Sequence, residues 1–152
     1  MMKIFNHIST ILKHKWFVYV YCKEMGITWR GIKHDLSKFH PTEFLESLKY
    51  YQKGSSPIPR CKKDKGYSNA WFHHRGHNDH HYEYWVDNLD NGGVSVKMPY
   101  DAMLEMEARQ AARPSSSRNL HLPCSLPAPL KRDAITEIRE DREKGYHLPV
   151  LR

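Results

Sequence analysis

The sequence has few cysteines and no long apolar run. Its three cysteines, Cys22, Cys61 and Cys124, are widely spaced and form no CxxC pair. An odd, scattered set excludes a disulfide framework and predicts free thiols in a reducing cytoplasm. Lysine and histidine interrupt the apolar N-terminal stretch well before the roughly 18 residues that a membrane-spanning helix requires. Neither a membrane span nor a signal peptide is therefore expected.

The motifs of several enzyme classes are also missing. The chain contains no Gly-x-Ser-x-Gly, no cysteine in a recognisable nucleophile context, no glycine-rich phosphate loop and no CxxCH. These absences argue against a serine or cysteine hydrolase, a P-loop nucleotide-binding protein and a c-type haem protein.

Charge alone suggests an anionic partner, since the formal net charge is +7 and the isoelectric point is about 9.3. The distribution weakens this suggestion, because residues 67–105 hold Arg75 and Lys97 against six acidic residues. The chain also lacks a helix-turn-helix signature, zinc-finger spacing and a basic-aromatic stripe. Nucleic-acid binding is therefore the least favoured function.

Hydrophobic periodicity predicts a compact all-α helical bundle. Apolar residues recur at three- and four-residue steps over residues 3–25, which predicts an amphipathic helix that ends at Gly26. A short second helix or turn should follow, with its apolar residues turned inward. Those residues are Trp29, Ile32 and Leu36. Pro41 should open a third helix, because proline is favoured at the first helical position.

Beyond the third helix, glycine, proline and polar residues mark the boundaries between further predicted elements. Residues 52–66 are predicted to form a polar loop, and residues 67–89 two short helices separated near Gly76. Another helix is expected from Tyr100 to Arg113. No pair of strands is expected.

The composition changes at residue 113. Residues 113–130 hold four of the nine prolines and show no periodicity, which is typical of a linker or a disordered segment. The chain is therefore predicted to divide into a helical domain (1–112), this linker, and a charged, poorly ordered C-terminal helix or tail (131–152).

Histidine is the most distinctive residue of the chain. Eleven are present, and five lie in the stretch HHRGHNDHH. Imidazole and carboxylate together bind first-row divalent ions, so a metal site built around the adjacent His34 and Asp35 is predicted. The identity of the ion is open among zinc, manganese, iron and magnesium. The candidate ligands are His14, His34, Asp35, His73, His74, His80 and His81.

Two stretches carry a resemblance to a known superfamily. GITWRGIKHDLSKF (residues 26–39) resembles the HD superfamily of metal-dependent phosphohydrolases, in which a His-Asp pair ends an apolar helix. NAWFHHRGHNDHHYEYW (residues 69–85) resembles the later His-His segment of some of those enzymes. With a downstream Met-Pro, these stretches are similar to a small, poorly characterised bacterial and phage family with an HD-like core, over about residues 10–106. The resemblance assigns ligand positions to His14, to His34 and Asp35, and to members of His73, His74, His80 and His81.

The resemblance also implies a late aspartate ligand. The pattern places it just after Glu105 and Met106, where this chain has no aspartate until Asp133. Asp101, Glu105 and Glu107 are the candidate substitutes. One hypothesis is a reading-frame shift near codon 106, which would impair this chain. Translating the neighbouring frames of the gene tests it.

The expected function is metal-dependent hydrolysis of a small phosphate-bearing substrate, with a nucleotide as one candidate. Asp35 is assigned to the metal and to orienting water, and Lys38 to neutralising the charge that develops on the substrate. A non-catalytic alternative is a structural metal that stabilises a helical interaction protein. Coordination separates the two, because a structural zinc site is closed by protein ligands and a catalytic one keeps a position for water.

Overall fold

The computed structural model describes residues 2–87 and 89–113. Within these residues the fold has six α-helices and one pair of two-residue strands, so the all-α prediction is confirmed. The α-helices are α1 (Met2–Glu24), α2 (Thr28–Lys33), α3 (Pro41–Tyr50), α4 (Pro57–Lys65), α5 (Asn69–His77) and α6 (Tyr100–Ala111). The fold also contains three 3₁₀ helices, Leu36–Phe39, Tyr82–Trp85 and Leu89–Asn91. The two strands are β1 (Val86–Asp87) and β2 (Val94–Ser95). The predicted C-terminal tail and all but the first residue of the predicted linker lie outside the described residues.

The main apolar core lies between α1 and α6. It continues into the turn after α1, where Met25 and Ile27 are buried. The members from the two helices are Val18, Tyr21, Cys22, Leu104 and Ala108. Gly26 has a φ of 77°, a left-handed conformation that glycine adopts readily, and it follows the end of α1 as predicted.

Gly31 allows α2 to lie directly against α1. A Cβ atom at this position would lie 2.8 Å from Cβ of Cys22 and 2.9 Å from Cα of Tyr19. Any larger residue would therefore push the two helices apart. The close approach brings the segment that follows α2 next to the middle of α1.

Helix α2 does not turn its apolar residues inward, so that prediction is wrong. Trp29, Ile32 and Leu36 are 66%, 45% and 53% exposed. The inward positions of α2 and of the turn after it are occupied instead by Gly31, His34 and Asp35, all of which are buried. The polar pair, and not its apolar frame, therefore faces the interior.

Residues 57–65 form helix α4, so the predicted loop over residues 52–66 is wrong. Ser56 caps the helix by accepting a hydrogen bond from the backbone nitrogen of Ile58, and Pro57 occupies the first helical position. Cys61 is the one residue of α4 that is buried. A helix with a single buried residue leaves almost no hydrophobic periodicity in the sequence.

The histidine-rich segment holds one α-helix, α5, and the 3₁₀ helix 82–85, where two short helices were predicted. Beyond it β1 and β2 pair antiparallel, with Val86 opposite Ser95, so the expectation of no strand pair is wrong. Gly92 and Gly93 both have positive φ, which permits the tight connection. No helix of the described residues is long and apolar enough to cross a membrane.

Candidate metal centre

His34 and Asp35 occupy a break between two helices. His34 follows α2 with an extended backbone, and Asp35 has a φ of 53° in the left-handed region. Within residues 2–87 and 89–113, Asp35 is the one non-glycine residue with positive φ. Such backbone strain is uncommon and concentrates at functional sites. Here it directs two adjacent side chains into one buried space.

The carboxylate of Asp35 lies at the centre of four imidazoles. Nε2 of His34 is 3.1 Å from Oδ2 of Asp35, and Nε2 of His14 is 3.9 Å from the same oxygen. Nε2 of His74 and Nε2 of His80 are each 3.4 Å from Oδ1. The four histidines come from α1, the end of α2, α5 and the segment after α5. The fold therefore brings together donor atoms that are far apart in the sequence.

The atoms at this centre are buried without hydrogen bonds. In the part of the chain that the structure describes, Oδ1 and Oδ2 of Asp35, Nε2 of His34 and Nε2 of His80 have no hydrogen-bond partner. The short contacts with Asp35 lack hydrogen-bonding geometry. Buried polar atoms without hydrogen bonds are rare in folded proteins, because their desolvation is costly. At Asp35 the ion pair with Lys38 offsets part of this cost.

The spacing of these atoms fits a shared cation. A metal ion about 2.0–2.2 Å from each nitrogen and oxygen separates neighbouring ligand atoms by about 3.0–3.6 Å. The separations of His34, His74 and His80 from the Asp35 oxygens, 3.1–3.4 Å, lie in this range, and that of His14, 3.9 Å, is slightly wider. The ligand atoms of His14, His34 and Asp35 all lie within 4.8 Å of one another, so these three residues are close enough to share one ion.

Glu105 orients two of the imidazoles from behind. Its Oε1 is 2.8 Å from Nδ1 of His34 and 3.0 Å from Nδ1 of His80. Arg30 holds the carboxylate in place by donating from Nε to Oε2 at 2.7 Å. Burial opposes the charge of Glu105, but the hydrogen bonds from His34 and His80 outweigh it and lower its pKa to about 2.

The ionised Glu105 can only accept hydrogen bonds, so the proton of each ring is placed on Nδ1. Nε2 of a neutral ring then presents a lone pair towards Asp35, which is the tautomer that metal-ligating histidines adopt. Burial opposes protonation of His80, but Asp35 and Glu105 outweigh it and raise its pKa above 6.5. A proton and a metal ion therefore compete for His80.

Glu43 has the same relation to His74. Its Oε2 is 2.9 Å from Nδ1 of His74, and its Oε1 is 2.7 Å from Nδ1 of His73. The ring of His73 stacks between those of His40 and His77, with centroid distances of 4.3 and 4.0 Å. His73 is thus not brought to the Asp35 centre. It shares the carboxylate of Glu43 with His74, which does lie at that centre.

His81 lies beside the centre. Its ring centroid is 4.8 Å from that of His74 and 4.6 Å from that of His80. Its buried Nε2 has no hydrogen-bond partner among the described residues. Burial, with a smaller contribution from Arg109, lowers its pKa to about 2, so the ring is neutral. His74, His80 and His81 form a second group whose ligand atoms are close enough to share one ion.

Lys38 brings a positive charge to the edge of the centre. Its Nζ is 2.5 Å from Oδ2 of Asp35, and its side chain is 30% exposed, whereas that of Asp35 is fully buried. Burial opposes the charge of Asp35, but Lys38 and then His34 hold the pKa of that carboxyl well below its usual range. Asp35 is therefore ionised at neutral pH, as a metal ligand must be.

His14 marks the place where the centre meets solvent. Its side chain is 23% exposed, against 8% or less for the other three imidazoles around Asp35. Burial is the largest cause that lowers its pKa to about 3, and Lys38 adds to the effect. The ring is therefore neutral, and the lone pair of its unprotonated nitrogen can bind a metal ion.

Of the seven ligands suggested by the sequence, the structure gathers five around the carboxylate of Asp35, places His81 alongside and leaves His73 apart. The five are His14, His34, Asp35, His74 and His80. Glu43 was missed, because a glutamate in the first turn of a helix is common and carries no signal of its own. Glu105 was one of three candidates for a late ligand, and its carboxylate contacts the outer nitrogens of two rings.

These features define a mostly helical protein with a buried histidine-carboxylate cluster. Residues 3–121 match a family described as "Family of unknown function (DUF5662)". The match covers more than half of the 152 residues, and the chain belongs to this family. No curated protein and no solved structure matched the chain.

The family match is consistent with the predicted membership of a small, poorly characterised family, and it is longer at both ends than the expected residues 10–106. It contains no information on the HD superfamily. That relation, and the frame shift near codon 106, stay predictions.

Proposed function

We propose that the chain is a metal-dependent hydrolase of phosphate esters, with one divalent ion held by the five residues around Asp35. Those residues are His14, His34, Asp35, His74 and His80. The observation that supports the proposal most is that Nε2 atoms converge on Asp35 while Glu105 and Glu43 contact the Nδ1 atoms of three of the rings. Carboxylates placed behind the rings in this way orient metal-ligating histidines.

The donor set favours some ions over others. Four imidazole nitrogens and one carboxylate suit zinc, iron or manganese, whereas magnesium prefers oxygen ligands and retains several waters. Zinc, iron and manganese are therefore the first ions to test.

A bound divalent ion would lower the pKa of water and polarise a phosphoryl oxygen. The residues of the chain prepare the site for this chemistry. The nearly complete burial of His34 and His80 keeps bulk water from the inner side of the centre and strengthens its electrostatic interactions. Lys38, at the exposed edge, supplies positive charge where negative charge develops on the phosphoryl oxygens.

Hydrolysis by metal-loaded protein tests the proposal. The untagged chain is loaded with zinc, manganese or iron and assayed with p-nitrophenyl phosphate and with nucleoside monophosphates. The proposal predicts turnover that Asp35→Asn abolishes and that the exposed control His77→Ala retains. If the metal binds and none of these esters is hydrolysed, the hydrolase proposal is wrong.

A structural metal is the second candidate, because all the proposed ligands except His14 are at most 8% exposed. Removal of the metal with a chelator separates the two candidates. A structural ion makes folding depend on the metal, so chelation would unfold the helices. A catalytic ion predicts lost turnover with largely retained circular dichroism.

A further inference from the structure

Arg109 is a cation near the metal centre that the proposed mechanism does not use. It lies one helical turn after Glu105 on α6, and residues four apart occupy the same face of a helix. Glu105 contacts two of the proposed ligands, so this face of α6 is the one turned to the centre. Arg109 is half-buried on that face.

The charge of Arg109 acts on the members of the centre. Burial is the main cause that lowers the pKa values of His14 and His81, and Arg109 contributes to both. Burial and the neighbouring Arg113 lower the pKa of Arg109 itself, while the charges of Asp35 and Glu83 act in the opposite direction. The guanidinium therefore lies within electrostatic reach of both the exposed ligand and the central carboxylate.

Arg109 differs from Arg30, the other arginine near the centre. Arg30 forms ion pairs with Glu105 and Asp79. Among residues 2–87 and 89–113, Arg109 donates no side-chain hydrogen bond and forms no ion pair. The charges of Asp35 and Glu83 act on Arg109 without forming an ion pair with it. A half-buried guanidinium without a hydrogen-bonded anion has lost hydration, and an anionic ligand would supply the missing hydrogen bonds.

The cations at the centre fit the free oxygens of a phosphate monoester. Lys38 and Arg109 are both positively charged, and a divalent ion adds two positive charges. The carboxylates around the centre other than Asp35 contact other groups: Glu105 contacts Arg30, Glu43 contacts His74 and Glu83 lies 3.8 Å from Nδ1 of His81. A phosphate monoester carries close to two negative charges at neutral pH, because its second pKa is about 6. A diester carries one and offers fewer free oxygens to a guanidinium.

We infer that the centre selects phosphate monoesters over diesters, and that Arg109 is a substrate-binding residue that holds the phosphate together with Lys38. The inference rests on the proposed function for its catalytic part. Its binding part is tested with inorganic phosphate, which resembles the phosphoryl group of a monoester. This binding measurement does not require hydrolysis. The two parts are measured separately.

The test compares Arg109→Met with Arg113→Met, which removes the same charge from an exposed position one turn further on. Phosphate binding to the metal-loaded proteins is measured by calorimetry, and kcat/KM is measured for p-nitrophenyl phosphate and for its bis-ester. In Arg109→Met we expect phosphate binding to weaken about tenfold or more, as for a lost charge-assisted hydrogen bond. Monoester kcat/KM should fall by a similar factor, diester kcat/KM much less, and the metal content should not change.

The outcomes are distinguishable from those of the proposed function. Phosphate binding that is lost in Arg109→Met and kept in Arg113→Met supports the binding site even if neither ester is hydrolysed. Absence of phosphate binding in the wild-type protein overturns the inference, as does equal binding in Arg109→Met. A wild-type preference for the diester overturns the assigned substrate class and leaves the hydrolase proposal intact.

Discussion

Nδ1 of His34 lies 2.8 Å from Oε1 of Glu105, although the two residues are 71 positions apart in the chain. The same oxygen lies 3.0 Å from Nδ1 of His80. One carboxylate on α6 therefore sets the orientation of two rings whose other nitrogens face Asp35. Helix α6 contributes to the centre without supplying one of the atoms that meet there.

Replacing Glu105 with glutamine should weaken metal binding about 10- to 100-fold, the usual effect of losing a carboxylate behind metal-ligating histidines. All five proposed ligands remain, but the neutral amide no longer fixes the tautomer of His34 and His80. A competition titration with a chromophoric chelator measures the change. The control is Glu107→Gln, an exposed residue of the same helix. Unchanged affinity in Glu105→Gln would show that the carboxylate does not support the rings.

Replacing Gly31 with alanine should reduce the free energy of unfolding by about 2 kcal/mol, because the new Cβ overlaps Cys22 and the backbone of Tyr19. Urea denaturation measures the loss. Gly76→Ala is the matched control, since a Cβ there meets nothing within 4 Å. The control should be as stable as the wild type or slightly more so. Equal stability of both variants would contradict the close packing of α2 on α1.

Glu46 should stabilise the fold in a pH-dependent way. Its Oε1 accepts hydrogen bonds from Oγ of Ser68 at 2.7 Å and from the backbone nitrogen of Ala70 at 2.9 Å. Burial opposes its charge, but these bonds outweigh burial and lower its pKa from 4.5 to about 2. Because the folded pKa is the lower one, the stabilisation is present above pH 4.5 and is lost as the pH falls towards 2.

Replacement of Glu46 by glutamine should therefore reduce the free energy of unfolding by about 1 kcal/mol at pH 7. The deficit should shrink below pH 4.5, where the unfolded wild-type chain takes up a proton. Urea denaturation at pH 7 and pH 3.5 makes the comparison, with Glu107→Gln as the control. A deficit of the same size at both pH values would rule out the ionised carboxylate as its source.

The parts of the fold that the sequence predicted are those with strong periodicity or clear end signals. Helix α1 with Gly26 and helix α3 with Pro41 are examples, and both are confirmed. Helix α4 was missed because Cys61 is its one buried residue. The inward face of α2 was misassigned because a glycine and a polar pair occupy it, which reverses the usual pattern of burial.

The candidate site was predictable in its residue types and only partly in its geometry. His73 and His74 are neighbours in the sequence, and the packing of α5 against α3 decides which of them faces Asp35. Nothing in the local sequence contains this information. Glu43 and Glu105 are two of seventeen acidic residues, and their role follows from tertiary contacts that no motif records.

The most direct test of the central claim is the metal content of the purified, untagged protein after incubation with zinc, manganese or iron and removal of unbound ions. Inductively coupled plasma mass spectrometry is applied to the wild type, to a His34→Ala, Asp35→Asn double variant and to His77→Ala, which removes an exposed histidine of the same tract. We expect about one ion per chain in the wild type and in His77→Ala, and none in the double variant. A wild-type protein that binds no metal, or a double variant that retains it, would contradict the metal centre proposed around Asp35.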